Sequence, residues 1–355
     1  NSTDFGNLLA ADDNQIASCS SRTRYIAAGG RSGATNLDVI QYVEFATLGN
    51  ASDFGDLTAV RASVRGGSNG VRGVIGGGNA NRTVIDYITI ASTGDATDFG
   101  DLTVGRDPLG AVSSAVRICF AGGDVSGKKD EIDYVTTATA GNATDFGNLT
   151  AAREGARGLS SATRGVFGGG YVSALVNTMD YITIANTGNA TDFGDLTAAR
   201  YVSGAAASPT RGLFAGGSSN TNIVDYITIA SAGNASDFGD LIEASVAPSG
   251  AASSTRALFS GGLANAGYTA VIDYFTIAST GNGTDFGDLT LARYLTGSCS
   301  NSIRALTAGG QGAAFSNIID FVVIATTGNA SDFGDLTATA YSGSGCCGSH
   351  GGIAA

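Results

Sequence analysis

The side chains able to do chemistry in this chain are few and poorly placed for it. His350 is the single histidine, in the run Cys346-Cys347-Gly348-Ser349-His350 near the C-terminus. A zinc site there would need further ligands on a stiffer backbone than this glycine-rich stretch supplies. No Ser-His-Asp relay can be assembled around one distant histidine. The five cysteines (Cys19, Cys119, Cys299, Cys346, Cys347) lack the Cys-x-x-Cys spacing of a metal clip. Cys119 sits in an apolar run and reads as inert core. Cys19 and Cys347 each follow an Asp-Phe-Gly by 15 residues, a placement compatible with a closing disulfide. A glycosidase would need two inward carboxylates that stand apart from their surroundings, and Asp12, Asp13, Glu44, Asp107, Glu154 and Glu243 form no such pair. The expectation is a protein that is not an enzyme.

Calcium is the one ion the sequence raises. Asn50-Ala51-Ser52-Asp53-Phe54-Gly55-Asp56 and its copies are dense in oxygen ligands, but the spacing does not follow the EF-hand loop. Asp, Asn and Thr capping their own turns accounts for the composition, so no cofactor is expected. The same strings are glycosylation sequons at Asn50, Asn142, Asn189, Asn234, Asn282 and Asn329, and their regular recurrence at a turn explains them without any sugar.

What positions these residues is a repeat. Asp-Phe-Gly begins at Asp4, Asp53, Asp98, Asp145, Asp192, Asp237, Asp285 and Asp332, in steps of 49, 45, 47, 47, 45, 48 and 47 residues. A period in this range marks a propeller or solenoid. High glycine (54 residues), only 3 prolines and 43% apolar residues point to short strands joined by tight turns rather than to disorder. One unit, from Asp192, supplies strands after the Asp-Phe-Gly turn, around Ala205 to Ser208, over Arg211 to Ala215 and over Val224 to Ala230, with Gly-Asn as the hairpin signal. No window has helical periodicity with caps. The class is all-β.

Spacings inside the unit are stricter than the period itself. A strand arginine (Arg24, Arg72, Arg117, Arg164, Arg211, Arg256, Arg304) precedes the second glycine of a Gly-Gly pair by 6 residues every time. The residue before the strand aromatic precedes the next Asp-Phe-Gly by 12 every time. Nearly all length variation falls in one connection: 31–40, 79–85, 124–132, 171–179, 218–224, 263–272 and 311–319. Seven Gly-Gly pairs and seven aromatic strands predict a seven-bladed β-propeller of four-stranded antiparallel blades, which leaves only short, protected sheet edges. The end units are ordinary, unlike the polar caps of a solenoid, so a closed ring over 1–355 is expected. Its units start near 4, 53, 98, 145, 192, 237 and 285. Either 4–21 or 332–353 would complete the last blade.

Within that frame Phe54, Phe99, Phe146, Phe193, Phe238, Phe286 and Phe333 are expected to plug the blade junctions, each worth about 1.5–3 kcal/mol when buried. The strand arginines lie among apolar residues and need acidic or carbonyl partners. Asp86, Asp133, Asp180, Asp225, Asp273 and Asp320 are the obvious ones, with Gln41 as the exception, so repeated Arg–Asp pairs are expected to set blade register. The variable loops are the binding candidates because they carry distinct chemistry on a rigid frame: Arg31, Arg82, Lys128, Lys129, Tyr171, Tyr268 and Phe315. The net charge of −12 is largely architectural, since 20 of the 31 acidic residues occupy three framework positions. It still disfavours a nucleic-acid partner, and no apolar run approaches the 18 residues of a membrane helix. The chain opens at Asn1, already inside a repeat, which reads as a processed or longer polypeptide.

The segments TAR, GLFAGG and DYITIA resemble the kelch repeat, with Phe where kelch units place Trp. Galactose oxidase, a kelch-like enzyme, needs two histidines and a Tyr–Cys centre that this chain cannot supply. The phrases NATDFGDLTAAR, TRGLFAGG and IDYITIAS are similar to repeat proteins of marine tailed phages, of the cyanophage tail-fibre or appendage type. That resemblance implies a virion-surface structural or adhesion protein, partnered by other virion proteins and by a host-surface glycan or protein. The alternative is a cellular or secreted kelch-like interaction scaffold.

Overall fold

The computed structural model describes residues 16–32, 35–79, 82–107, 110–201, 203–218, 220–337 and 346–347. They form an all-β, seven-bladed propeller whose blades span 17–56, 65–101, 110–148, 157–195, 204–240, 249–288 and 297–335. In blade 5 the strands run Gly204–Ala207, Arg211–Ala215, Ile223–Thr228 and Ser236–Asp240, each hydrogen-bonded to the next in sequence. Inner strands are rich in Gly, Ala and Ser because seven of them converge on one axis, while the middle strands carry more Leu, Ile, Val and Phe. The second strand is buried on both faces, so it reads as an apolar run instead of alternating.

The Asp-Phe-Gly segment is therefore a strand and not the turn before one. It forms the outer strand of the preceding blade, so the structural unit is offset from the repeat unit read in the sequence. Blade 7 takes its inner strand from Gly297–Ser300 and its outer strand from Ser331–Asp335, with no contribution from the N-terminal copy within the described residues. Cys346–Cys347 adds a fifth strand, parallel to Gly297–Ser300 at the ring centre. Asp4 and the remaining 338–355 lie outside the described residues, as do the Cys346 and Cys347 side chains and His350.

A bulge aims each phenylalanine. Val224 pairs with Gly239 and Asp225 with Asp237, leaving Phe238 as the extra residue. Phe54, Phe99, Phe146, Phe193, Phe238, Phe286 and Phe333 are all buried, each in an apolar cluster shared by two neighbouring blades. Six of them meet the aromatic of their own third strand edge-on, as Tyr226 meets Phe238 at 5.6 Å, and so does Phe333 with Phe321. The following glycine is required sterically. At Gly194 φ is +125°, and a Cβ would lie 2.5 Å from the Gly233 carbonyl carbon of the next blade.

That close approach exists because outer strands bond to the next blade's turn. Gly233 N–H donates to Phe193 O (2.6 Å) and Ala235 N–H to Asp195 O (2.8 Å), while Asn234 Oδ1 accepts from Asp195 N–H (3.0 Å). The same contacts close the ring between blades 7 and 1: Gly49 to Phe333, Ala51 to Asp335, and Asp335 to Asn50. Asp53 Oδ1 accepts from Gly55 N–H, so both oxygen-bearing residue types of the turn cap backbone donors.

The Arg–Asp pairing differs from expectation. Asp86, Asp133, Asp180, Asp225 and Asp320 bind Arg61, Arg106, Arg153, Arg200 and Arg293, at 2.6, 3.0, 2.8, 2.5 and 2.9 Å. These arginines stand in the Thr-x-x-Arg linker between blades and are buried, and each crosses a junction to reach its aspartate. The strand arginines do something else. Arg72, Arg117, Arg164, Arg211 and Arg256 lie over Tyr87, Tyr134, Tyr181, Tyr226 and Tyr274 at 4.3–4.8 Å. Arg304 lies over Phe321 in the same way. They also donate to a carbonyl of the next blade, as Arg211 does to Ile277 O at 2.8 Å. The physical reason is reach: strand pairing sets Arg211 opposite Thr228, three residues beyond Asp225, whereas the linker arginine enters end-on.

Candidate functional site

Because each blade is an up-and-down meander, its connections alternate between two faces. Short turns gather on one face, while the variable loops and the interblade linkers share the other. On that loop face the two kinds of segment are stitched together: Asp107 bridges Asp124, Glu154 bridges Tyr171, Val246 bridges Leu263 and Tyr294 bridges Gln311. In blade 6 the loop becomes a hairpin continuing strands Arg256–Ala264 and Gly267–Thr276.

The expected loop residues fall into two ledges. Around blades 2–4, Lys128 Nζ binds Glu154 (2.5 Å) and Asp124 (3.1 Å) and sits 5.3 Å from the Tyr171 ring centre. Nearby, Arg82 faces Asp107 at 3.6 Å. The bond to Glu154 raises the Lys128 pKa, and the Gly127 N–H followed by Lys128 lowers that of Asp124. Burial pushes Asp107 up. Around blades 6 and 7, Tyr268 stacks on Tyr294 (5.5 Å, 27°), whose hydroxyl donates to Gln311 Oε1 at 3.2 Å. Burial raises the Tyr294 phenol. Phe315 bridges back to Gln311 in the same loop. Arg31 belongs to a separate two-residue ladder of blade 1, and Lys129 is held through its backbone to Gly123. The structure thus gathers Arg82, Lys128 and Tyr171 on one ledge and Tyr268 and Phe315 on another, and leaves Arg31 apart from both.

Among the described residues, no three His, Cys, Asp or Glu converge as metal ligands. Burial pushes the Cys119 thiol up to about 12, so it stays protonated.

Three residues at the axis escaped the sequence reading. Arg65 and Arg157 open the inner strands Arg65–Ser68 and Arg157–Ser160, and Tyr201 in the next linker lies against Gly155. The signal was present: the other five inner strands open with Ala17, Gly110, Gly204, Ser249 and Gly297. Neither models of known protein families nor curated proteins yield a match to this chain.

Proposed function

We propose that this chain is a non-enzymatic display scaffold whose loop face binds a surface ligand. In its finer form the proposal is a virion appendage or tail-fibre component attaching to a host-surface glycan or protein. One observation carries it. Seven junctions repeat the same phenylalanine and the same turn bonds, and five of them the same Arg–Asp ion pair, while the loops above them differ in length and chemistry. A frame this uniform holds differing loops in fixed relative positions, which is what recognition on a rigid scaffold requires. The two ledges supply what such sites use: stacked tyrosines for sugar or apolar faces, and a charged cluster for polar groups.

The test is binding of the whole chain to host envelope fractions and to a glycan array. Binding should fall at least about ten-fold in Tyr268→Ala/Tyr294→Ala or in Lys128→Ala/Tyr171→Ala, the loss expected when a hot-spot residue is truncated. Absence of binding to every fraction, or binding indifferent to both double variants, would refute it.

A further inference from the structure

We infer that the ledge of blades 6 and 7 takes a neutral pyranose sugar, with the C–H face of the sugar laid on the Tyr268 ring and its hydroxyls met by the Gln311 amide. The inference rests on the loop-face reading and narrows it to one ligand class at one place.

The loop face repeats one backbone contact with different side chains. A linker residue bridges the residue after the glycine pair at Asp107–Asp124, Glu154–Tyr171, Val246–Leu263 and Tyr294–Gln311. The first two bridges carry carboxylates, and the last two carry no charge. Blade 6 then lifts an aromatic ring above the uncharged pair. Its hairpin sets Tyr268 opposite Leu263, which is bonded in both directions to Val246 at 2.9 Å. At the hairpin tip Asn265 Oδ1 accepts from Asn220 Nδ2 of blade 5 at 2.6 Å. Tyr268 is therefore held on a laddered backbone, and little of its freedom remains to be lost on binding.

One face of that ring looks outward. Tyr294 stacks on Tyr268 at 5.5 Å and 27°, yet Tyr268 is still 39% exposed. Tyr294 is fixed in turn by paired backbone bonds to Gln311 at 2.9 Å and by its hydroxyl on Gln311 Oε1 at 3.2 Å. With its oxygen engaged, Gln311 has its amide N–H groups to donate. Burial, and then Tyr268, raises the Tyr294 phenol, which keeps that hydroxyl neutral.

A flat apolar ring beside a neutral amide matches a pyranose, which has a C–H face and a rim of hydroxyls. The size agrees. A few side chains fall far short of the roughly 800 Å² that each side of a stable protein interface buries. An acidic sugar is disfavoured by the net charge of −12 and by the carboxylates on the other bridges.

Saturation-transfer NMR of the whole chain against the methyl glycosides of glucose, galactose, mannose and N-acetylglucosamine, with methyl glucuronide in parallel, tests the site. Saturable binding of at least one neutral glycoside is expected, with transfer strongest to its ring C–H protons and weaker binding of the glucuronide. Tyr268→Ala should weaken that binding about ten-fold or more, the loss expected of a hot-spot residue. Tyr268→Phe, which keeps the ring face, should restore most of it. Leu48→Ala, at an exposed apolar residue of the turn face, should change nothing. No binding of any neutral glycoside, binding confined to the glucuronide, or binding indifferent to Tyr268→Ala would overturn the proposal. Periodate treatment of the host envelope fractions separates it from the broader reading. Host binding that disappears in Tyr268→Ala/Tyr294→Ala but survives periodate would leave a protein receptor on the loop face and remove the sugar. Glycoside binding without any host binding would keep the sugar site and remove the attachment role.

Discussion

The junctions between blades 3 and 4 and between blades 5 and 6 are built to one plan and differ at two of the positions that meet the buried aspartate. At the first, Arg153 spans the gap to Asp180 at 2.8 Å, and Asp180 also accepts from Thr150 N–H (3.2 Å) and Thr150 Oγ1 (2.5 Å). At the second, Ser245 occupies the arginine position and Ile242 the threonine position. Asp273, 5% exposed, keeps one backbone donor, Ile242 N–H at 3.0 Å. Burial raises Asp225 and Asp320 as well, but Arg200 and Arg293 pull them back. Asp273 has no such pull and is carried to about 6, with Asp285 and Glu243 adding to the rise. The junction of blades 7 and 1 resolves the same loss differently. Gln41 replaces the aspartate and accepts from Thr337 N–H and Oγ1, and Ala340 stands in the sequence where the arginine would be. Losing both charges leaves a neutral hydrogen-bonded junction. Losing only the cation leaves a buried acid.

The largest effect should come from imposing the second state on the first. Arg153→Ala strands Asp180 and is expected to cost about 3–5 kcal/mol, the range for halving a buried ion pair. Adding Asp180→Gln, which reproduces the arrangement of Gln41, should recover more than half of that loss. Urea unfolding of both variants checks this, and a double variant no more stable than Arg153→Ala would refute the account.

Next comes relief of the stranded acid. A carboxyl whose folded pKa lies above its unfolded value is favoured in its neutral form. Its contribution is fully present below about pH 4 and is lost as pH rises through about 6. From the ordinary 3.8 to about 6 the shift corresponds to roughly 3 kcal/mol at neutral pH. Asp273→Asn should therefore stabilise the fold by up to that amount at pH 7 and by little at pH 4. Thermal melts of both proteins across this interval measure the difference, and a gap independent of pH would exclude Asp273 as its source.

Ser245→Arg should repair the same junction by a smaller margin, roughly 1–2 kcal/mol at pH 7, because burying a new guanidinium offsets part of the gain. Room exists in principle. Gly262 stands beside Ser245 as Gly170 stands beside Arg153, whose Cδ would lie 3.3 Å from a Cβ there. The diagnostic readout is loss of the pH dependence between 4 and 6, which a gain from packing alone would leave in place.

Much of this was legible in the sequence because the repeat is an internal record of which residues the frame demands. Phe193 and its copies, the glycine after each and the Gly-Asn turns all emerge from spacing alone, and so does the blade number. The offset between repeat and blade did not emerge, since a period fixes the length of a unit and not where its sheet begins. The aspartate partner was missed for a related reason: most units hold two regular arginines, and spacing cannot say which one crosses to the neighbour. Gln41 and Ala340 held the clue, because the unit lacking the aspartate is met around the ring by the unit lacking the linker arginine and not by one lacking Arg304. Arg65 and Arg157 went unread because attention to what repeats passes over the two units that break the pattern.

The smallest effect separates the two arginine classes. Arg211 lies over Tyr226 at 4.8 Å, only partly buried, and its Nη1 donates to Ile277 O across the junction. Cation–π contact at such sites contributes about 0.5–2 kcal/mol, and no carboxylate is stranded when it goes. Arg211→Gln is therefore expected to cost no more than about 2 kcal/mol and to leave the pH dependence of stability unchanged, whereas Arg200→Gln on the neighbouring linker should cost more and steepen it. The sign of that steepening follows from Asp225. Without Arg200 its carboxyl would rise further, and stability would fall as the solution is made less acidic, as at Asp273. Equal losses and parallel pH profiles for the two variants would mean that the strand arginines also neutralise the buried aspartates, against the contacts that place them over the aromatic rings.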